Sequence, residues 1–571
     1  MIETASELVG RAKEIAGCGG APLVLELDLT VDLMEGVPQD PLSVVLSRRR
    51  PRLHDVLEGL RHARSDPRVR MLVAKVGSSR MGLARAQELR DAVQAFRESG
   101  KSAIAWAETF GEFAPGTVPY YLASAFDRVY LQPSGDVGLT GVSLEQHFLR
   151  GALDKAGVTP QIGQRHEYKN AANMFTQHGF TEAHRESYSR IAASMAEQVI
   201  AGVAEGRRVG SERVSGLVDR GPLLGREALD AGLVDKLAYR DEVYDDVRKE
   251  SGDEAHLQFV GRYQHAPRRE ITRRVTHRHA TAVALIYGVG PVRLGRSGRH
   301  PLQGQSMGSD TVAAAFRAAV KEERVRAILF RVDSPGGSYV ASDTIWREVV
   351  RARQAGKPVV VSMGNVAGSG GYFVAMAADA IVAQPGTLTG SIGVLGGKPV
   401  VSELLDRAGV GYDAVAEGAH ARMFSASRAY SDSEWERVNT WLDRIYDDFT
   451  AKVAQGRGLS RDRVHELARG RVWTGADAKD NALIDELGGI EPALAIVRAK
   501  AGLPADADVD LQVFPKVTPL DRLRPAESSE SPSAAAAALR LEAWGPMAVL
   551  ADRLGFPAWG PLTMPGVREA Q

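Results

Sequence analysis

At 571 residues the chain is long enough for about two to four domains, each able to bury its own core. Its 71 basic and 71 acidic residues cancel, so no global field recruits nucleic acid or anionic membrane. A single cysteine, Cys18, excludes an intramolecular disulfide framework and a multi-cysteine metal site.

Residues 1–20 read as a short amphipathic lead-in with early acidic residues and no apolar h-region, so no signal peptide is expected. No apolar stretch approaches the roughly 18 to 20 residues of a spanning helix, and a cytoplasmic or peripherally membrane-associated protein is expected. Leu23–Leu27 is predicted as a strand, Asp55–Ala63 as a helix and Met71–Val76 as a strand. A long helix is predicted over Ala84–Glu98, then a strand over Ser102–Trp106. The same order returns as a strand from Val283, a helix over Thr311–Glu322, a strand over Ala327–Val332, a helix over Ala341–Gln354 and a strand over Pro358–Ser362. Alternating strands and helices imply an α/β fold with largely parallel sheets.

Residue identities repeat along with the elements. Arg68-Val69-Arg70 recurs as Arg324-Val325-Arg326, and Gly100-Lys101 as Gly356-Lys357, both 256 residues later. At a spacing of 252, Tyr120 matches Tyr372, Asp127 matches Asp379, and Ala156-Gly157-Val158 matches Ala408-Gly409-Val410. A period this long means tandem domains rather than a solenoid. The expected division is a lead-in (1–20), a first domain (21–250), a basic linker (251–280), a second domain (281–502) and a tail (503–571). Arg268–His279 within the linker reads as solvated, and His277 and His279 lack the companions of a metal site. The tail looks flexible over Glu527–Ala538, and Leu539–Trp559 is expected to pack against the body, another subunit or a membrane surface.

Differences between the copies locate the chemistry. The second contains Asp333-Ser334-Pro335-Gly336-Gly337 after a strand, a turn able to expose backbone N–H groups as an oxyanion hole. It then contains Gly364-Asn365-Val366-Ala367-Gly368-Ser369-Gly370-Gly371-Tyr372, a serine among glycines entering a small-residue helix predicted over Phe373–Asp379. Glycines there permit close backbone approach, which suits a nucleophile whose attack generates an oxyanion. At the matching positions the first copy has Thr117, Ser78-Ser79-Arg80-Met81 and Gly138-Leu139-Thr140-Gly141. Gly393–Pro399 is no P-loop, since its glycine spacing is wrong and no Ser/Thr follows Lys398.

Ser334-Pro335-Gly336-Gly337, Gly368-Ser369-Gly370-Gly371-Tyr372 and Thr389-Gly390-Ser391-Ile392-Gly393-Val394 resemble the protease domain of the signal peptide peptidase SppA family, in its long tandem form, over about residues 20–500. The resemblance implies tandem ClpP/crotonase-like domains built from repeated ββα units. It also implies a serine protease with a Ser-Lys dyad that cleaves residual signal peptides and other hydrophobic peptides, without metal or organic cofactor. Within His166-Glu167-Tyr168-Lys169-Asn170-Ala171-Ala172 it implies Lys169, from the first copy, as the base for Ser369. It implies Ser391, 22 residues after Ser369, as the residue orienting the lysine, and Gly336 or Gly337 with Gly370 as oxyanion donors. A homo-oligomer, commonly a tetramer, acting on peptides rather than nucleic acid is the implied assembly. Opposite Lys169, ungapped spacing places Ala421, so each copy holds part of one site.

Three rivals remain at this point. A Ser-His hydrolase would use His166 or His178 as base. The same fold runs acyl-CoA chemistry in crotonases, and a catalytically silent scaffold would bind peptides without cleaving them.

Overall fold

The apolar runs predicted as strands are buried on both faces, as parallel sheets covered by helices require. The computed structural model describes residues 21–37, 50–77, 81–264, 281–300, 304–505, 507, 509–516 and 560–564. The expectations for residues 1–20, Ser78-Ser79-Arg80, Arg268–His279, Glu527–Ala538 and Leu539–Trp559 lie outside these described residues.

In the first copy the strands run Lys236–Leu237, Arg128–Leu131, Ser102–Ala107, Val69–Lys75, Leu23–Asp28, His256–Phe259 across one sheet, every pair parallel. The second copy repeats that order with Glu486–Leu487, Ala380–Ala383, Val359–Gly368, Val325–Ser334, Ala282–Val289 and Asp510–Phe514, again all parallel. Helices Leu53–Ser65 and Leu83–Glu98 link the first three strands of one copy, and Ser309–Lys321 and Tyr339–Gln354 those of the other. The chain is a tandem α/β protein.

The repeated residues turn out to be structural pegs. Tyr120 and Tyr372 are fully buried, and each donates its hydroxyl to a matching carbonyl, Leu233 at 2.7 Å and Leu483 at 2.8 Å. Lys101 Nζ donates to the carbonyls of Ala63 and Asp66, as Lys357 Nζ does to Ala319 and Glu322. Asp127 and Asp379 each accept from the first residues of the neighbouring strand, at Ala103 N and Val359 N, both 2.8 Å. Such bonds satisfy buried or half-buried groups that would otherwise be orphaned, which makes their positions insensitive to the rest of the chain.

Two of the features that join the copies bear on the site. Arg331 is buried with its guanidinium between Glu88 (2.6 Å) and Glu35 (3.2 Å), both from the first copy. Arg85 of the first copy meets Asp333 at 3.4 Å and donates its backbone N–H to Asn365 Oδ1 at 3.0 Å. Burial opposes ionisation of Glu35, but the neighbouring Arg331 and Arg85 outweigh it and hold its carboxyl below the usual range. The second feature is a strand exchange. Thr159–Gln164 of the first copy pairs antiparallel with Leu395–Val400 of the second, in register from Val400↔Thr159 to Leu395↔Gln164. The rejected P-loop segment is therefore a strand, and Lys398 Nζ is spent on the carbonyls of Met423 and Ser425, both at 2.8 Å.

Candidate active site

Strand Val359–Gly368 has ten residues where its counterpart Ser102–Ala107 has six. The added length pairs with Leu388–Gly390, aligning Gly368 with Gly390, and carries the chain to Ser369. Ser369 itself adopts φ +54°, ψ −112°, a conformation that non-glycine residues rarely take, and Ser391 stands at φ +49°. Strain of this kind costs about 1–3 kcal/mol and persists where surrounding contacts over-determine it. Here the Ser369 N–H donates to Gly390 O at 2.8 Å, and the Ser391 N–H to Arg471 O at 2.7 Å. The following helix covers Gly370–Phe373 rather than the predicted Phe373–Asp379, because hydrogen bonds after Met376 N→Tyr372 O give way to a turn, Ala378 N→Ala375 O.

The strand exchange delivers the lysine. From Gln164 the chain continues along the second copy, with the Arg165 N–H on Val394 O at 2.9 Å and the Tyr168 N–H on Arg469 O at 3.1 Å. Lys169 follows, fully buried, 200 residues before Ser369 in sequence. Its Nζ lies 2.8 Å from Ser369 Oγ, 3.0 Å from Ser391 Oγ and 3.0 Å from Ser391 O. No carboxylate is among these partners, so burial alone pulls the ammonium down from 10.5 to about 7. A substantial fraction of Lys169 is then neutral near neutral pH, while a solvated lysine near 10.4 is not.

All three side chains named from sequence thus meet within one chain. The two candidate histidines do not join them. The His166 ring packs on Tyr446 and His465, with centroids 4.6 Å and 4.9 Å away. The nearest approach to glycine Gly151 places His178 beside a different helix, Arg150–Ala156. Ala421, opposite Lys169 in the repeat, is exposed in a turn, and Thr117, opposite Ser369, donates its hydroxyl to Gly141 O at 2.9 Å.

The glycine turn lies against the serine. Gly336 and Gly337 take φ of +94° and +152°, and a Cβ on Gly370 would stand 3.0 Å from Gly337 N and 3.1 Å from Gly336 Cα. The Gly336 N–H is committed to Ser334 Oγ at 3.2 Å. Among the described residues no cluster of three or more His, Cys, Asp or Glu is arranged for a metal ion, and no helix is long and apolar enough to cross a membrane.

One element escaped the sequence reading. Gly470, at φ +87°, lies on the backbone of Lys169 so closely that a Cβ would stand 2.5 Å from both its N and Cα. The loop Ala468–Arg471 therefore supports Lys169 from below through Gly470 and Ser391 through Arg471. Its only sequence signal was a lone glycine between two arginines, which any turn would show.

The sequence model of peptidase family S49 matches residues 95–253 and 351–504, once in each copy. A relative from Arabidopsis thaliana, named serine protease SPPA, chloroplastic, is 29% identical over 80% of this chain and 67% of its own. Protease 4 of Salmonella typhi is 31% identical over 78% of this chain and 71% of its own, and Protease 4 of Haemophilus influenzae is 30% identical over 80% and 74%. Two matched segments in register with the internal repeat, and relatives that span both copies, leave one assignment: the chain belongs to peptidase family S49.

Proposed function

We propose that the serine protease activity of this S49 chain runs on a dyad divided between its copies, with Ser369 as nucleophile and Lys169 as base. The observation that carries this reading is the 2.8 Å contact between Lys169 Nζ and Ser369 Oγ in a buried site without a carboxylate. Neutral Lys169 takes the Oγ proton as Ser369 attacks the peptide carbonyl. The lysine next protonates the leaving amine, then activates the water that releases the acyl-enzyme. Ser391, bonded to Nζ through both its hydroxyl and its carbonyl, holds the amine towards Ser369.

Oxyanion stabilisation falls to the backbone N–H groups of Gly370 and Gly337, since that of Gly336 is turned to Ser334 Oγ. Losing one such donor costs a serine protease about 3–4 kcal/mol of transition-state stabilisation. The substrates we assign are extended, unfolded or hydrophobic peptides, residual signal peptides among them, cleaved internally. A homo-oligomer, tetrameric as in the long tandem form, acting in solution or at a membrane surface, is the assembly we assign.

Cleavage of a synthetic signal peptide by wild type, Ser369→Ala and Lys169→Ala, at matched oligomeric state, tests the reading. Activity lost in both variants supports the divided dyad. Near-full activity in Lys169→Ala would sink the lysine base, and an inactive but assembled wild type would favour a silent peptide-binding scaffold.

A further inference from the structure

The register of the second copy's sheet breaks just before the site. Strands Val325–Ser334 and Val359–Gly368 pair evenly up to Val332↔Met363, and pairing resumes at Ser334↔Ala367. One residue, Asp333, thus faces three, Gly364-Asn365-Val366, an irregularity of the bulge kind that re-aims the chain beyond it. That chain is Ala367-Gly368-Ser369. The corresponding strands of the first copy run from Met71↔Ser102 to Lys75↔Trp106 without a break.

Groups from both copies hold the bulge. From the second, Thr387 Oγ1 donates to Gly364 O at 2.8 Å, and the Val366 N–H donates to Asp333 Oδ1 at 3.1 Å. A Cβ on Gly364 would stand 2.8 Å from Asp333 Cγ, so the carboxylate fills the bulge. From the first copy, Arg85 reaches the bulge twice. Its backbone N–H donates to Asn365 Oδ1 at 3.0 Å, and its Nη2 lies 3.4 Å from Asp333 Oδ2 and 3.8 Å from Glu35 Oε2. The Arg85 and Asp333 side chains are only 15% and 16% exposed, so water screens the pair little. Burial pushes the Asp333 carboxyl up, and Arg85 is the strongest influence drawing it back towards the ionised form that the Val366 N–H binds.

The pair is divided in the repeat. At the spacing of 256, Arg85 corresponds to Ala341 and Asp333 to Gly77, so neither copy holds both groups. Lys169 and Ser369 are divided in the same way. We propose that Arg85 is a positioning residue for the reaction, holding Asp333 and Asn365 so that the bulge sets where Ser369 and the Gly336–Gly337 turn stand. Asp333 leads directly into Ser334-Pro335-Gly336-Gly337, and Val366 stands three residues before Ser369, so one guanidinium governs both approaches to the site. Resting on the reading of Ser369 as nucleophile, this assigns to the first copy the alignment of the serine as well as its base.

Three full-length chains, Arg85→Met, Arg85→Lys and Asn365→Ala, test this against wild type at matched oligomeric state. Arg85→Met is expected to lower kcat for an unstructured peptide at least about tenfold with KM within about twofold, since a misplacement of about 1 Å can cost about a hundredfold. Arg85→Lys returns a cation without the guanidinium fork and is expected to hold kcat at least about threefold above that of Arg85→Met. Asn365→Ala removes the other tie and no charge, and should lower kcat at least about threefold at unchanged KM. Amide hydrogen exchange, read by mass spectrometry, is expected to quicken at least about tenfold over Val366–Ser369 in Arg85→Met and to stay within about twofold over Val359–Val361. A kcat within about twofold of wild type in Arg85→Met, a change confined to KM, or a loss that Arg85→Lys does not relieve overturns the proposal. If Arg85→Met does not fold, unchanged kcat and exchange in Asn365→Ala overturn it. Exchange that quickens as expected, in a protein whose Lys169→Ala variant stays active, supports the positioning role and refutes the dyad instead.

Discussion

Replacing Lys169 by methionine should make the protein more stable at neutral pH while abolishing its activity. Lys169 is fully buried, and burial alone moves its ammonium from 10.5 to about 7. That displacement corresponds to about 5 kcal/mol of folding free energy. The folded-state value lies below the unfolded one, so between pH 7 and 10.5 the unfolded chain carries more protons. Stability therefore rises with pH across that window by up to about 1.4 kcal/mol per pH unit, and the full cost applies below pH 7. Lys169→Met deletes this pH-dependent term. It also deletes three hydrogen bonds, to Ser369 Oγ, Ser391 O and Ser391 Oγ, together worth about 3 kcal/mol at all pH values. The variant should thus exceed wild type by about 2 kcal/mol near pH 6, match it at mildly alkaline pH, and fall below it towards pH 10. Urea titrations of both proteins at pH 6, 7, 8, 9 and 10 give the difference directly, because every other titrating group cancels. A difference that stays flat across this range would refute a buried lysine with a lowered proton affinity.

Three further outcomes follow from the same geometry. In wild type, kcat/KM for an uncharged peptide should rise with pH through an inflection near 7 as Lys169 loses its proton, and Ser391→Ala should move that inflection, which steady-state rates between pH 5 and 9 will read. Gly470→Ala should lower peptide cleavage at least about tenfold, since a Cβ 2.5 Å from the Lys169 backbone must displace the base, and a sub-ångström to 1 Å misplacement can cost about a hundredfold. Its φ of +87° adds strain, so a modest drop in melting temperature should accompany the loss. Arg331→Met leaves Glu88 buried without its cation and Glu35 with Arg85 alone, and should cost about 3–5 kcal/mol in urea denaturation, most of it recovered by adding Glu35→Gln and Glu88→Gln. Failure of the triple variant to recover would show that the arginine acts through packing.

The tandem architecture was legible because its evidence is local and repeated. Tyr120 and Tyr372, Lys101 and Lys357, Asp127 and Asp379 each serve the backbone of their own copy, so the identities survive in both and can be aligned by eye. Ser369 was legible for the same reason, since the glycines that allow its strained turn adjoin it in sequence. Lys169 was not: a lone lysine in a polar stretch reads as a surface residue, and only the family resemblance singled it out. Burial decides its chemistry, and burial depends on Gly470 and on the pairing of Thr159–Gln164 with Leu395–Val400.

What the amino-acid order determined by itself is the pair of parallel α/β units, written in strand hydrophobicity and in the duplicated pegs. Only the tertiary structure decided which groups became chemically active. The buried Arg331 between two carboxylates, the strand exchange that carries Lys169 across to Ser369, and the return of Gly560–Met564 to the glycine turn all join residues far apart in the chain. Contacts of that range leave no periodicity in the sequence, because their free energy comes from desolvation and from backbone pairing, neither of which depends on a local pattern.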